Sequence, residues 1–436
     1  MEEEKKQKME NKNRNIKDIE QGGGLKSNAF WEFKKRMDNK RKKKENITAI
    51  QNETNMEQIK EIFRTFYTEL FKPNMQGDSH EEEEAKKFQK IIFESIEIIA
   101  ENDVTWQAIE GVELERNTNK LKKKNTCDTQ GWNNKMVLNG GDDLKHSLHI
   151  ILNEIDNLGI IPNEWKELII NSISKGKGPK TDVENRRGLF LTNIISKLYE
   201  KIKLDKNGDK LDKGISKYQC GGKKGRSTID HIMTLNAIID YNKTINSETY
   251  ILFADAYKCF DKLNLKDCIA DLYKIIGAKE AMKIYKLNET GTAIIKTPVG
   301  EVGPINADGI VRQGTIMGPK LCCINTDKIN TIGKKCVTYI GPRVKTESLI
   351  YVDDLQNASS NLKQLENAAD NIRRLENQKG YLFNNNVQKT AILIVNKKKR
   401  KTYDIKLTVK KGEIKQTHEY KYLGEWYNEK ETILHQ

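Results

Sequence analysis

"LIYVDDLQ", from Leu349 to Gln356, sets four strand-compatible residues ahead of two adjacent aspartates and then returns to an apolar residue. Like charges a few ångströms apart repel, and an ionised carboxylate is costly to take out of water. Asp-Asp on its own is most often a solvated turn, because Asp favours turns. The other reading places something positive between the carboxylates.

The flanking sequence decides between them. "YILFADAY" (250–257) is a β-branched and aromatic run that ends in Asp255. "LKDCIADLYKII" then puts Leu265, Ile269, Leu272, Tyr273 and Ile276 on one helical face. The Asp-Asp segment reads as a hairpin with its acids at the turn. "LKQLENAADNIRRLENQ" repeats Leu362, Leu365, Ala369, Ile372 and Leu375 at helical spacing, and "KTAILIV" (389–395) is again a strand. Strand–helix–strand–strand–helix–strand is the order of a ferredoxin-like split βαβ sheet. In it the first strand and the central hairpin are neighbours, so Asp255 is expected beside Asp353 and Asp354 at one sheet edge. Three such carboxylates repel when empty. Two hard divalent cations relieve that repulsion, and Mg²⁺ suits carboxylate and phosphate oxygens, with Mn²⁺ as the alternative. Two such ions clamp the attacking and leaving oxygens of a phosphoryl transfer.

The bulk composition agrees. The 436 residues carry a formal charge of +14, with 36% apolar and 32% charged residues. Such an excess suggests a polyanion, nucleic acid or an anionic surface, although Lys- and Asn-rich composition also arises from base bias. No run is long enough to span a bilayer, and "MEEEKKQKMENKNRN" is no signal peptide. Seven cysteines without a CxxC read as reduced intracellular thiols. Residues 1–29 read as a disordered arm. "NKRKKK" (39–44) is either a nuclear-localisation or nucleic-acid patch or a solvated helix face, so nuclear and cytoplasmic locations both stay open. Two amphipathic helices follow, over 56–71 and 86–100.

Seven segments, in order, resemble the reverse transcriptases of non-LTR (LINE-type) retrotransposons. "IPNEWKELIINSISKGKG" with "ENRRGLFL" is similar to the family's fingers segment, and "QCGGKKGRSTIDHI" to its Gln-x-Gly-Phe-x-x-Gly-Arg-Ser-Thr stretch. "FADAYKCFDKL", "VRQGTIMGPKL" and "YVDD" look like motifs A, B and C, "NVQKT" like motif D and "YKYLG" like motif E. The sequence departs from the pattern at Arg186, where an aromatic is usual, at Gly222 for Phe, at Gly318 for Ser and at Val352 for Ala.

The resemblance implies an α+β right-hand polymerase. It would have a charged arm and helical extension (1–100), fingers (101–249), a palm with a ferredoxin-like sheet (250–400) and a primer-grip-like end (401–436), cut before the thumb. It implies that Asp255 and Asp353 ligate both metals, with Asp354 as third acid and the Ala256 carbonyl as a further ligand. Phe260 falls on the gate that excludes a 2′-hydroxyl, with a core aromatic as the plainer reading. Gln313 and Gly314 fall where motif B meets nucleotide and template. Arg187, with Lys175 or Lys177, would hold the triphosphate. Lys389 would protonate pyrophosphate, or be an exposed strand-start lysine. The implied partners are an RNA template, a DNA primer and dNTPs, with no membrane. The rival expectation is a retroelement remnant that binds nucleic acid without synthesis.

Overall fold

The computed structural model describes residues 49–72, 80–176, 178–397 and 405–430. The arm over 1–29, the basic cluster at 39–44 and Lys177 lie outside the described residues. The strands are β1 (Glu167–Ser174), β2 (Arg186–Leu191), β3 (Thr249–Asp255), β4 (Thr292–Thr297), β5 (Gly300–Asn306), β6 (Thr338–Ile340), β7 (Val344–Thr346), β8 (Leu349–Tyr351), β9 (Asp354–Ser359), β10 (Ala391–Val395), β11 (Leu407–Val409), β12 (Gly412–Ile414), β13 (Gln416–Thr417), β14 (Glu419–Tyr422) and β15 (Glu425–Asn428).

The sheet that carries the aspartates runs β13-β10-β3-β9-β8. Its four principal strands are antiparallel, with β3 between β10 and β9 as the split βαβ order requires. Both faces are covered, which is why "YILFA" reads as an unbroken apolar run. Ile251 and Phe253 meet Leu235, Ile238 and Ile239 of helix Thr228–Thr244 and the tyrosines of β14 and β15. Leu252 and Ala254 share the opposite core with helices Leu265–Ile276 and Leu362–Lys379. Phe93 and Ile96 of helix His80–Asn102 join that core.

A second sheet runs β2-β1-β4-β5, with β1 and β4 parallel. Strands β4 and β5 fall within 250–400 in sequence, yet they pair into the sheet built on β1 and β2. Helix Met56–Leu70, capped by the Asn55 side chain on the amides of Glu57 and Gln58, lays Ile59, Phe63 and Tyr67 on this sheet. Arg186 is accommodated here. Its Nε donates to Ser172 Oγ (2.8 Å), its Nη2 to the Ser172 carbonyl (2.6 Å), and its guanidinium lies 5.7 Å from the Phe63 ring centre.

Helix Gly141–Leu158 stops at Gly159 in the left-handed conformation that glycine adopts without strain. Near its end Asp156 is fully buried and takes hydrogen bonds from Lys203 (2.7 Å), Lys283 (2.9 Å) and Tyr199 (2.8 Å). These charges hold its carboxyl down at about 2 against the opposing effect of burial. No described helix is long and apolar enough to cross a membrane.

Candidate active site

Strand register places the acids. Asp255, the last residue of β3, stands directly opposite Asp354, the first residue of β9. Tyr351 pairs with Asp354, so Val352 and Asp353 form the two-residue hairpin turn between β8 and β9. The predicted meeting of Asp255, Asp353 and Asp354 at one sheet edge is what the register produces.

The turn is held in an unfavourable conformation. Val352 has φ +63°, a left-handed geometry that costs a β-branched residue about 1–3 kcal/mol. Residues 218–221 fix it from the side. The amide of Ile350 donates to the Tyr218 carbonyl and that of Cys220 to the Ile350 carbonyl, both at 3.0 Å, which adds this segment to the exposed edge of β8. Gln219, fully buried, then reaches the turn itself: its Oε1 accepts from the Val352 amide at 3.0 Å and its Nε2 donates to the Val352 carbonyl at 3.2 Å. Gly221 must be glycine, since a Cβ there would sit 2.5 Å from the Val352 nitrogen. Gly222 has φ +62°, which accounts for a glycine where the family prefers Phe.

Burial, together with the charges of its two aspartate neighbours, pushes the Asp353 carboxyl up to about 7. Burial and Asp255 push Asp354 up to about 6. Asp255 has partners of its own. Lys389 Nζ donates to its Oδ1 at 2.8 Å and Asn384 Nδ2 to its Oδ2 at 2.7 Å. Lys389 is in turn placed by Tyr420, whose hydroxyl donates to the Lys389 carbonyl at 2.8 Å. Ala256 is buried behind Asp255, at the bridge to Phe383. Among the described residues no three Asp, Glu, His or Cys side chains are arranged, as they stand, to hold a metal ion. The donor chemistry nevertheless fits a hard divalent cation. It offers three carboxylates, two of them driven toward protonation by burial and by the neighbouring negative charge that a cation would neutralise.

The expected nucleotide contacts divide. Phe260, on the short helix Cys259–Lys262, is partly buried against the main core, so the aromatic serves packing whatever else it does. Gly314 has φ +109°, and a Cβ would lie 2.8 Å from the Phe190 carbonyl. Its neighbour Gln313 accepts from the Phe190 amide at 2.8 Å, which joins the motif B loop to β2. Arg187 on β2 is exposed. Lys175 Nζ is turned back onto the Glu184 carbonyl at 2.7 Å, within its own loop.

Three groups outside the expected set shape the site. Gln219 is one. Glu200 and Arg312 are the others: Glu200 takes the Ile316 amide at 2.8 Å, and the fully buried Arg312 donates to the carbonyls of Leu287, Asn288 and Thr290. Between them they anchor both ends of the loop carrying Gln313 and Gly314. Beside Gly314 a pocket of about 330 Å³ is lined by Lys120, Lys122, Lys124, Lys197 and Lys201. Burial holds Lys197 and Lys201 below the usual lysine value, and neighbouring lysines act in the same sense.

Residues 178–426 match the protein family described as Reverse transcriptase (RNA-dependent DNA polymerase). The match covers more than half of the chain and includes all three aspartates, and the chain belongs to that family. Over 181 residues, 41% of this chain, it is 23% identical to a Drosophila melanogaster protein named "Probable RNA-directed DNA polymerase from transposon BS". The chain spans about a fifth of that relative's length.

Proposed function

We propose that this chain provides the fingers (101–249) and palm (250–400) of an RNA-directed DNA polymerase of the non-LTR, LINE type. It would add dNTPs to the 3′-hydroxyl of a DNA primer on an RNA template. The observation that supports this most is the register that sets Asp255 against Asp354 with Asp353 in the turn. When two Mg²⁺ or Mn²⁺ ions are bound, they supply the charge that activates the 3′-hydroxyl and stabilises the pyrophosphate leaving group.

The chain's own groups do the rest. Asp255, Asp353 and Asp354, with the Ala256 carbonyl, hold the ions. Arg187, with Lys175 or Lys177, binds the triphosphate through charge-assisted hydrogen bonds. Lys175 must leave the Glu184 carbonyl to do so. The Phe260 ring excludes a 2′-hydroxyl, and Gln313 and Gly314 present backbone to the nascent pair. Lys389, released from Asp255, protonates the pyrophosphate. Helix Met56–Leu70 backs the fingers sheet and helix His80–Asn102 backs the palm, while residues 405–430 support the primer end. The lysine pocket beside Gly314 supports a nucleic-acid partner.

A second reading, a remnant that binds nucleic acid without synthesis, is favoured by Lys389 occupying Asp255. Primer extension on poly(A)/oligo(dT) with dTTP and Mg²⁺ decides between them. A polymerase extends with the wild-type chain and not with Asp353→Asn. Tight duplex binding without extension establishes the remnant.

A further inference from the structure

Gln219 makes no hydrogen bond to Asp255, Asp353 or Asp354, yet it bonds both polar backbone groups of the residue next to Asp353. A carboxamide offers two acceptor sites on oxygen and two N–H donors. Gln219 Oε1 accepts from the amides of Val352 (3.0 Å) and Gly221 (2.9 Å). Its Nε2 donates to the Val352 carbonyl (3.2 Å) and to Thr326 Oγ1 (3.0 Å). All four capacities are used, and the side chain is fully buried. Thr326 Oγ1 lies 2.7 Å from the same Val352 carbonyl, so the helix Gly318–Thr326 braces the turn as well.

The result is a two-point grip on one residue from both its N–H and its C=O. That residue has φ +63° and precedes Asp353 directly. A hairpin turn gripped at a single point could pivot about that bond. Gripped at both polar groups it cannot, and the direction of the Asp353 carboxyl is set by the orientation of the Val352 unit. Neither the fold of the sheet nor the core needs this grip, because β8 and β9 are already paired through Leu349, Ile350 and Tyr351.

We propose that Gln219, with Thr326, is the positioning residue that fixes the Asp353 turn in its working orientation. The proposal rests on the reading of the three aspartates as the phosphoryl-transfer site. It predicts that the grip governs the rate of the chemical step and not the binding of nucleic acid, since the fully buried Gln219 side chain has all its hydrogen-bonding capacity used within the protein.

The test uses the full chain and three variants. Gln219→Met keeps length and loses every hydrogen bond. Gln219→Glu keeps the acceptors for Val352 and Gly221 and loses the donors. Thr326→Val removes one brace only. Three quantities are measured: kcat and KM for dTTP on poly(A)/oligo(dT), the Kd for the duplex, and peptide-level hydrogen exchange. Misplacement of a catalytic group by about 1 Å costs about 100-fold, so Gln219→Met should lower kcat by roughly 10- to 100-fold. Its KM and duplex Kd should stay within about twofold of wild type. Gln219→Glu and Thr326→Val should fall between, and exchange should rise in a peptide covering 349–358 but not in one covering 362–379. The proposal is overturned if Gln219→Met retains the wild-type kcat, or if exchange rises equally in both peptides, which marks a merely structural residue. If Gln219→Met fails to fold, Thr326→Val decides alone by the same measures. Should the wild-type chain not extend primers at all, the polymerase reading fails. The exchange contrast between the two peptides then still accepts or rejects the grip.

Discussion

Replacing Asp353 with Asn should make the metal-free protein more stable while removing its activity. The carboxyl is pushed from its usual 3.8 up to about 7 by burial and by Asp354 and Asp255. Each pKa unit is worth about 1.4 kcal/mol, which puts the penalty for ionising Asp353 at about 4 kcal/mol before screening. Solvent reaches this half-buried carboxyl, so a gain of roughly 1–3 kcal/mol is expected at pH 8. The sign follows from linkage. Below about pH 4 the group is protonated whether folded or unfolded, and the substitution gains nothing. Between about 4 and 7 the unfolded chain ionises while the folded one keeps its proton, so wild-type stability falls as pH rises and levels off above 7. Urea unfolding followed by tryptophan fluorescence, in chelator, at pH 4 and pH 8, gives both ends of this window. A variant no more stable than wild type at pH 8, or one whose gain is equal at the two pH values, would refute the electrostatic account of the sheet edge.

Four other outcomes are expected. Phe260→Ala should keep dNTP incorporation and admit rNTPs, at a stability cost below the about 3–5 kcal/mol of a fully buried Phe; unchanged rNTP discrimination by an active variant removes the gate role. Gly314→Ala forces a Cβ against the Phe190 carbonyl at φ +109°, which should cost about 1–3 kcal/mol in unfolding experiments and raise the KM for dNTP. Asp156→Ala strands Lys203 and Lys283 in the core and should cost about 3–5 kcal/mol. Because the Asp156 carboxyl sits at about 2, roughly 2.5 kcal/mol of that difference should be present above about pH 4 and be lost as pH falls toward 2 in unfolding titrations. Lys197→Ala and Lys201→Ala should each lower the slope of log Kd against log salt for an RNA–DNA duplex by about one, if each lysine neutralises one phosphate.

The sheet edge was legible because two signals agreed. Strand periodicity located "YILFAD", "LIY" and "KTAILIV", and the order of elements forced the first and the hairpin together. The helix stop at Gly159 was legible because glycine accepts the left-handed conformation found there, whereas the Asn55 cap emerges only from the structure. Gln219 was visible only as the first residue of a family-like motif; its role was not legible, because its partner is 133 residues away and a glutamine in a glycine-rich loop carries no periodic signal. Arg186 stood out only as a departure from the expected aromatic; its hydrogen bonds to Ser172 depend on β1–β2 register, which no local pattern announces. The pairing of β1 with β4 was equally hidden, since parallel neighbours more than a hundred residues apart leave no turn between them to read. Lys175 and Lys389 were recognised as cations, but whether a lysine reaches outward or turns onto a nearby carbonyl or carboxylate is decided by packing.

The two braces at the sheet edge also impose a schedule. Gln219 waits for Val352 across 133 residues, and Asp255 for Lys389 across 134. At ribosomal rates of about 5–20 residues per second, the interval from Gln219 to Lys389 lasts roughly 10–30 s. From its own emergence until Lys389 follows, Asp255 is without its counter-ion, and for most of that time β8 has not yet been made. The helices and the β1–β2 hairpin can settle as they leave the ribosome, but the catalytic edge cannot, since its last piece is also the one that neutralises its first. A chain interrupted before residue 389 therefore lacks the lysine that partners Asp255, and the catalytic edge is among the last parts of this region to be completed.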